Sequence, residues 1–188
     1  MKYIKYTYVD GNHMPQVDGL EFMWARESQY PTNHPEFFGT CPTGSDTEVA
    51  GVLAELTEQQ YSEALQQEVT DRKALLTQRN NQAYESAIDQ MTRDYPASEI
   101  QTWERQRAEV LDWHADNAAA TPWIDIASSS RGLDRGEYLA RTLAKVQAFA
   151  IASAWLTGRR QGIDDAIRSA LTLDQLRSIS ISYEAGEE

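Results

Sequence analysis

The chain's potentially reactive side chains are few and scattered. His13, His34 and His114 lie far apart, with no cysteine or carboxylate at the spacing a bound metal ion needs. Asp164-Asp165 could share a proton as an acid–base pair, but adjacent helical residues diverge by about 100° and do not face each other. Cys41, the single cysteine, sits between Thr40 and Pro42 with no basic neighbour to stabilise a thiolate, and alone it excludes an internal disulfide. Ser128-Ser-Ser-Arg-Gly132 reads as a helix end and its exit. No Gly-x-Ser-x-Gly elbow and no phosphate-binding glycine loop is present. Structural roles are expected for these residues, and no enzyme activity, metal or cofactor.

Charge points the same way. The net charge is −12, and it is unevenly spread: residues 1–56 carry 3 basic and 8 acidic side chains, residues 57–120 carry 6 and 12, and residues 121–188 carry 8 and 9. Nucleic acids and anionic membranes are held by Lys and Arg, so neither is an expected partner. The apolar runs fall far short of the roughly 20 residues of a membrane span. The opening Met-Lys-Tyr-Ile-Lys-Tyr-Thr-Tyr alternates and lacks a signal-peptide core. A soluble protein that stays where it is made is the expectation.

The elements divide into two parts. Ile4, Tyr6 and Tyr8 alternate with Tyr3, Lys5 and Thr7, a strand pattern followed by the turn residues Asp10-Gly11-Asn12. Leu20–Ala25 predicts a second strand, and Phe37-Phe38 opens a third after a proline-rich connection. Residues 1–56 therefore read as a small β module. Eight of the chain's eighteen aromatic residues fall in its first 38 positions: Tyr3, Tyr6, Tyr8, Phe22, Trp24, Tyr30, Phe37 and Phe38. So small a sheet has too little material to cover both faces, and several of these rings are candidates for a protein-binding patch.

Residues 57–188 read as a helical domain, giving an α+β chain whose long helices run antiparallel. Helices are expected near 57–94, 98–116, 122–130 and 134–170, with a weak point at Asn80-Asn81. Capping boxes open at Thr57-Glu-Gln-Gln and Thr172-Leu-Asp-Gln. Pro96 must break the first helix, Ser98 is the expected N-cap of the second, and Thr121 caps the third with Pro122 at its first position. The face bearing Trp103, Val110 and His114 should pack on the last long helix. That helix carries a heptad-like seam through Leu139, Thr142, Val146, Phe149, Ser153, Leu156, Arg160, Ile163, Ile167 and Ala170, interrupted by Ser153 and Arg160. Ile179–Tyr183 alternates like a late strand.

One stretch carries a resemblance. Asp94-Tyr95-Pro96-x-Ser-Glu-Ile-x-Thr-Trp103, then Trp113-x-Ala-Asp, Thr-Pro122-Trp123-Ile and Leu156-Thr-Gly-x-Arg-Gln161 occur in that order. With Met1–Asp10, Trp24-Ala-Arg-Glu-Ser and Phe38-Gly-Thr-Cys-Pro, this order resembles the tail-fibre assembly proteins encoded beside fibre genes in tailed phages and phage-tail bacteriocins. The resemblance implies a chaperone in the cytoplasm of the bacterial host, or retained on the particle, whose partner is a trimeric tail fibre. Tyr95, Pro96, Trp103, Val110, Trp113, Pro122 and Trp123 would then be structural residues, and the helical part a spacer or homo-oligomerisation element. A structural tail or fibre-adaptor component is the alternative, and an acidic inhibitor of a host defence protein a weaker one.

Overall fold

The computed structural model of the chain describes residues 1–9, 13–23 and 36–184. It is α+β: a four-stranded antiparallel sheet precedes a mostly helical region. The strands are β1 (Lys2–Tyr6), β2 (Glu21–Phe22), β3 (Phe37–Cys41) and β4 (Val52–Leu56), in the order β2-β3-β1-β4. The helices are α1 (Glu58–Thr92), α2 (Ala97–Ile100), α3 (Trp103–Ala115), α4 (Pro122–Ser130), α5 (Arg135–Ser169) and α6 (Leu173–Arg177). Residues 1–76 with 167–179 form one compact unit, and residues 77–166 with 180–188 a second.

The first unit holds the sheet. β1 pairs with β3 from Lys2↔Cys41 to Tyr6↔Phe37, and with β4 from Tyr3↔Leu56 to Tyr6↔Val52 across an irregularity at Lys5/Tyr6. Strand alternation puts Ile4 and Tyr6 on the covered face, where they pack with Val17 and Cys41. Phe37, Leu20 and Val52 close that core at its edges. Gly39 is required there: a Cβ would lie 2.7 Å from the Glu21 carbonyl oxygen and 3.3 Å from the Tyr6 ring. The turn residues Asp10–Asn12 lie outside the described residues, but Val9 and His13 exchange backbone hydrogen bonds of 2.7 and 3.0 Å on either side of them. β4 lacks a clear period in the sequence, so reading patterns alone did not single it out.

Also in this unit, α1 opens with the expected box. The Thr57 N–H donates to Gln60 at 2.9 Å, and the Gln60 N–H donates to the Thr57 hydroxyl at 3.2 Å. Further along, burial pushes the Glu68 carboxyl above its ordinary value; Asp71 adds to that shift and Arg72 opposes it. A carboxyl raised by folding favours the protonated form, so its stabilising contribution is complete below the unfolded value and is lost as pH rises through the folded one. Glu68→Gln should therefore raise the melting temperature at pH 7 and lose that advantage near pH 4 in parallel thermal melts. An equal effect at both pH values would contradict the burial cause.

The second unit is helical. Its core is Val110, Ile124, Tyr138 and Leu139, flanked by Trp113, Trp123, Leu143 and Val146. Here α1 and α5 are antiparallel: Asn80 bonds Arg160 and Asp164, Tyr84 meets Thr157, and Tyr95 beyond α1 meets Lys145. The α5 seam is buried at Leu139, Leu156 and Ile163, whereas Phe149, on the same expected seam, is 38% exposed. Gly132 ends α4 with φ +64°, and the Leu133 N–H reaches back to the Ser128 carbonyl at 3.0 Å.

Several expectations need correction. α1 runs unbroken through Asn80-Asn81, because Asn80 is buried in hydrogen bonds and not a break. The second expected helix is two, α2 and α3. The Thr102 hydroxyl donates to the Glu99 carbonyl at 2.7 Å, a local bond that competes with continued helix. Ser98 lies inside α2, whose N-cap is Pro96: its carbonyl accepts from the Glu99 and Ile100 N–H groups. His114 is exposed, so the packed face is Val110 with Trp103 alone. Ile179–Tyr183 forms no strand; Ser182 and Tyr183 are tied by side-chain bonds to Arg159 and Asn80.

Candidate partner-binding surface

The aromatic residues of the first unit separate by position. Tyr6 is 2% exposed in the core, so its ring is not available to a partner. Phe37 stacks on Tyr6 at 5.6 Å and meets Tyr8 edge-on at 5.0 Å, leaving both half-buried. Tyr3 projects from the other face and packs on Tyr61 of α1 at 4.8 Å, where burial pushes the Tyr61 hydroxyl up. Phe38, opposite Lys5 in the ladder, shares that second face. Phe22 is the described ring most open to solvent at 45%, its ring centroid 6.2 Å from that of Tyr6. Trp24 and Tyr30 lie outside the described residues, as does His34.

Phe22 stands on β2, one terminal strand of the sheet, and Leu53, also solvent-exposed, on β4, the other. Terminal strands present unpaired backbone groups on one side, which suits them to receive another strand. Within the sheet, the two terminal strands therefore position the exposed apolar side chains Phe22 and Leu53.

Trp103 meets Tyr95 at 5.0 Å and Phe149 at 5.7 Å, both edge-on. Its ring is half-buried and not enclosed. Trp103→Ala should accordingly cost about 2 kcal/mol in chemical denaturation, below the range for fully buried tryptophan. Val110 is fully buried, Trp113 and Trp123 flank it, and Pro122 occupies the first position of α4 with its surface exposed.

Two polar hubs had no counterpart in the sequence reading. Thr121 is the N-cap residue of α4 but makes no side-chain cap. The cap comes from Glu109 on α3, fourteen residues before Trp123, whose buried carboxylate accepts the Trp123 N–H at 3.0 Å and the Ile124 N–H at 3.1 Å. Arg105 pairs with its other side at 2.8 Å. Thr121 is instead held by Asp125 and Arg135, at 2.8 and 2.7 Å. The hydrogen bonds from Arg135 and Thr121 hold the Asp125 carboxyl below its ordinary range. The second hub is Asn80, which donates to the Arg160 carbonyl and Asp164 at 3.0 and 2.8 Å and accepts from the Tyr183 hydroxyl at 2.5 Å. The acid pair at 164–165 thus splits, with Asp164 bound to Asn80 and Arg160.

Among the described residues no group of three or more His, Cys, Asp or Glu side chains is placed to hold a metal ion. No described helix is long and apolar enough to cross a membrane.

The family model described as HI1402 helical domain matches residues 144–181, from within α5 through α6. No curated protein and no solved structure matches the chain.

Proposed function

We propose that the chain is a tail-fibre assembly chaperone of a phage or phage-tail bacteriocin, which binds an immature trimeric fibre in the bacterial cytoplasm and assists its folding. The observation that carries this reading is the ordered set of motifs from Asp94-Tyr-Pro through Thr121-Pro-Trp-Ile to Leu156-Thr-Gly, joined to an aromatic amino-terminal module. An immature fibre exposes unpaired strands and apolar surface that aggregate before closure. The terminal strands β2 and β4, with Phe22 and Leu53 exposed on them, support a role in covering such surface. The acidic charge keeps the complex soluble.

In this reading the contact involves Phe22 and the open sides of Tyr3, Tyr8 and Phe38, with Trp24 and Tyr30 as further candidates. Phe22→Ala should weaken binding of the full chain to a candidate tail fibre from the same genome by about 2 kcal/mol, roughly thirty-fold, in calorimetric titration. Unchanged affinity for both Phe22→Ala and Leu53→Asp would remove the sheet edges from the contact. Counting this chain against fibre in purified particles separates a transient helper from a permanent tail component.

A further inference from the structure

Helix α5 carries a second seam. Opposite its buried face, spacings of four and three link Ala144, Ala148, Ile151 and Trp155, and extend outward to Arg141 and Gly158. All six are exposed; Ile151 is 73% open to solvent and Trp155 43%. The surrounding stretch from Val146 to Gly158 holds thirteen residues without a charge, bracketed by Lys145 and Arg159. Glycine inside a helix weakens it relative to alanine. Yet among the described residues a Cβ at Gly158 or Gly162 would meet nothing within 4 Å, so no described neighbour requires either glycine.

We propose that this face of α5 pairs with the same face of a second copy of the chain, antiparallel about a two-fold axis between Phe149 and Ala150. In that register each of the four inner rows sets a large side chain against a small one. Ile151 meets the partner's Ala148, and Trp155 meets the partner's Ala144. Arg141 meets the partner's Gly158, and Glu137 the partner's Gly162, so the glycines gain a reason: they admit the long side chains crossing them. Charge is complementary at the margins. Glu137, paired with Arg141 on its own helix, also reaches the partner's Arg159, which at present donates to its own Ser182 carbonyl, and Arg141 reaches the face of the partner's Trp155 ring. The like-charged Asp134 and the partner's Asp165 meet only at the outer ends. A parallel pairing would instead set Trp155 on Trp155 and Arg141 on Arg141, with glycine facing glycine. The self-complementary antiparallel register is what an isologous dimer requires.

Sedimentation equilibrium of the full chain tests this. The native chain should sediment at twice its 21.3 kDa mass. Ile151→Glu, at an exposed position, should raise the dissociation constant at least about thirty-fold with unchanged helical circular dichroism. Orientation is tested by Glu137→Arg and Arg159→Glu. Each alone should weaken the dimer, and the double exchange should restore it. The two positions lie about 33 Å apart along one helix, so only contact between copies explains restoration. A native chain that remains monomeric at 100 µM, or a dimer indifferent to Ile151→Glu, would overturn the proposal. Failure of the double exchange to restore the dimer would overturn the antiparallel register.

Discussion

Glu109→Ala is expected to destabilise the protein by about 3 kcal/mol in urea unfolding at neutral pH. The carboxylate accepts the Trp123 and Ile124 N–H groups, two of the donors that a helix start leaves without partners. Charge-assisted bonds of this kind contribute about 1.5–3 kcal/mol, and the positive end of the α4 dipole adds to them. Glu109 also stands beside Val110 and below Ile124, both fully buried, so loss of the cap loosens the centre of that core. Glu109→Gln keeps one acceptor and loses the charge, and should fall between native and alanine. Thr121→Ser retains the hydroxyl bonded to Asp125 and Arg135, and should cost under about 1 kcal/mol. A larger effect at Thr121 than at Glu109 would return the cap to the local residue.

The second large effect is expected at Asn80. Asn80→Leu keeps volume and apolar contact but leaves the Asp164 carboxylate and the Tyr183 hydroxyl each short of a partner. An unpaired buried polar group costs about 1–3 kcal/mol, so a loss of about 3 kcal/mol follows for the substitution. Asn80→Asp should be worse, since it sets a second carboxylate 2.8 Å from Asp164. Tyr183→Phe alone should cost about 1 kcal/mol, and its effect should nearly vanish in the Asn80→Leu background. Additive losses in that double-mutant cycle would mean that Asn80 does not hold the C-terminal segment.

These two residues also show where sequence reading stops. The strand alternation at Ile4 and Tyr6, both capping boxes, the Pro122 helix start and the α5 seam are local patterns, and each recurs in the fold as read. Asn80 and Glu109 are not local. An asparagine within a polar helix resembles a weak point unless its partners, eighty and more residues away, are known. A glutamate one position off an apolar stripe resembles a solvated charge until α4 is placed against it. Tyr6 failed as a surface ring for the converse reason: composition counts the aromatics, but only the ladder decides which side they take. The second seam of α5 was present in the spacing, yet it stands out only once the first seam is known to face inward.

The central claim is that this chain helps a fibre reach its trimer, and co-expression measures that directly. A candidate tail fibre from the same genome should be produced alone, with the native chain, and with the Phe22→Ala, Leu53→Asp double variant. Soluble fibre resistant to mild protease and migrating as a trimer should be quantified each time. The account predicts little such fibre alone, a several-fold gain with the native chain, and loss of most of that gain with the double variant. Equal yields of soluble trimer with and without the native chain would contradict it.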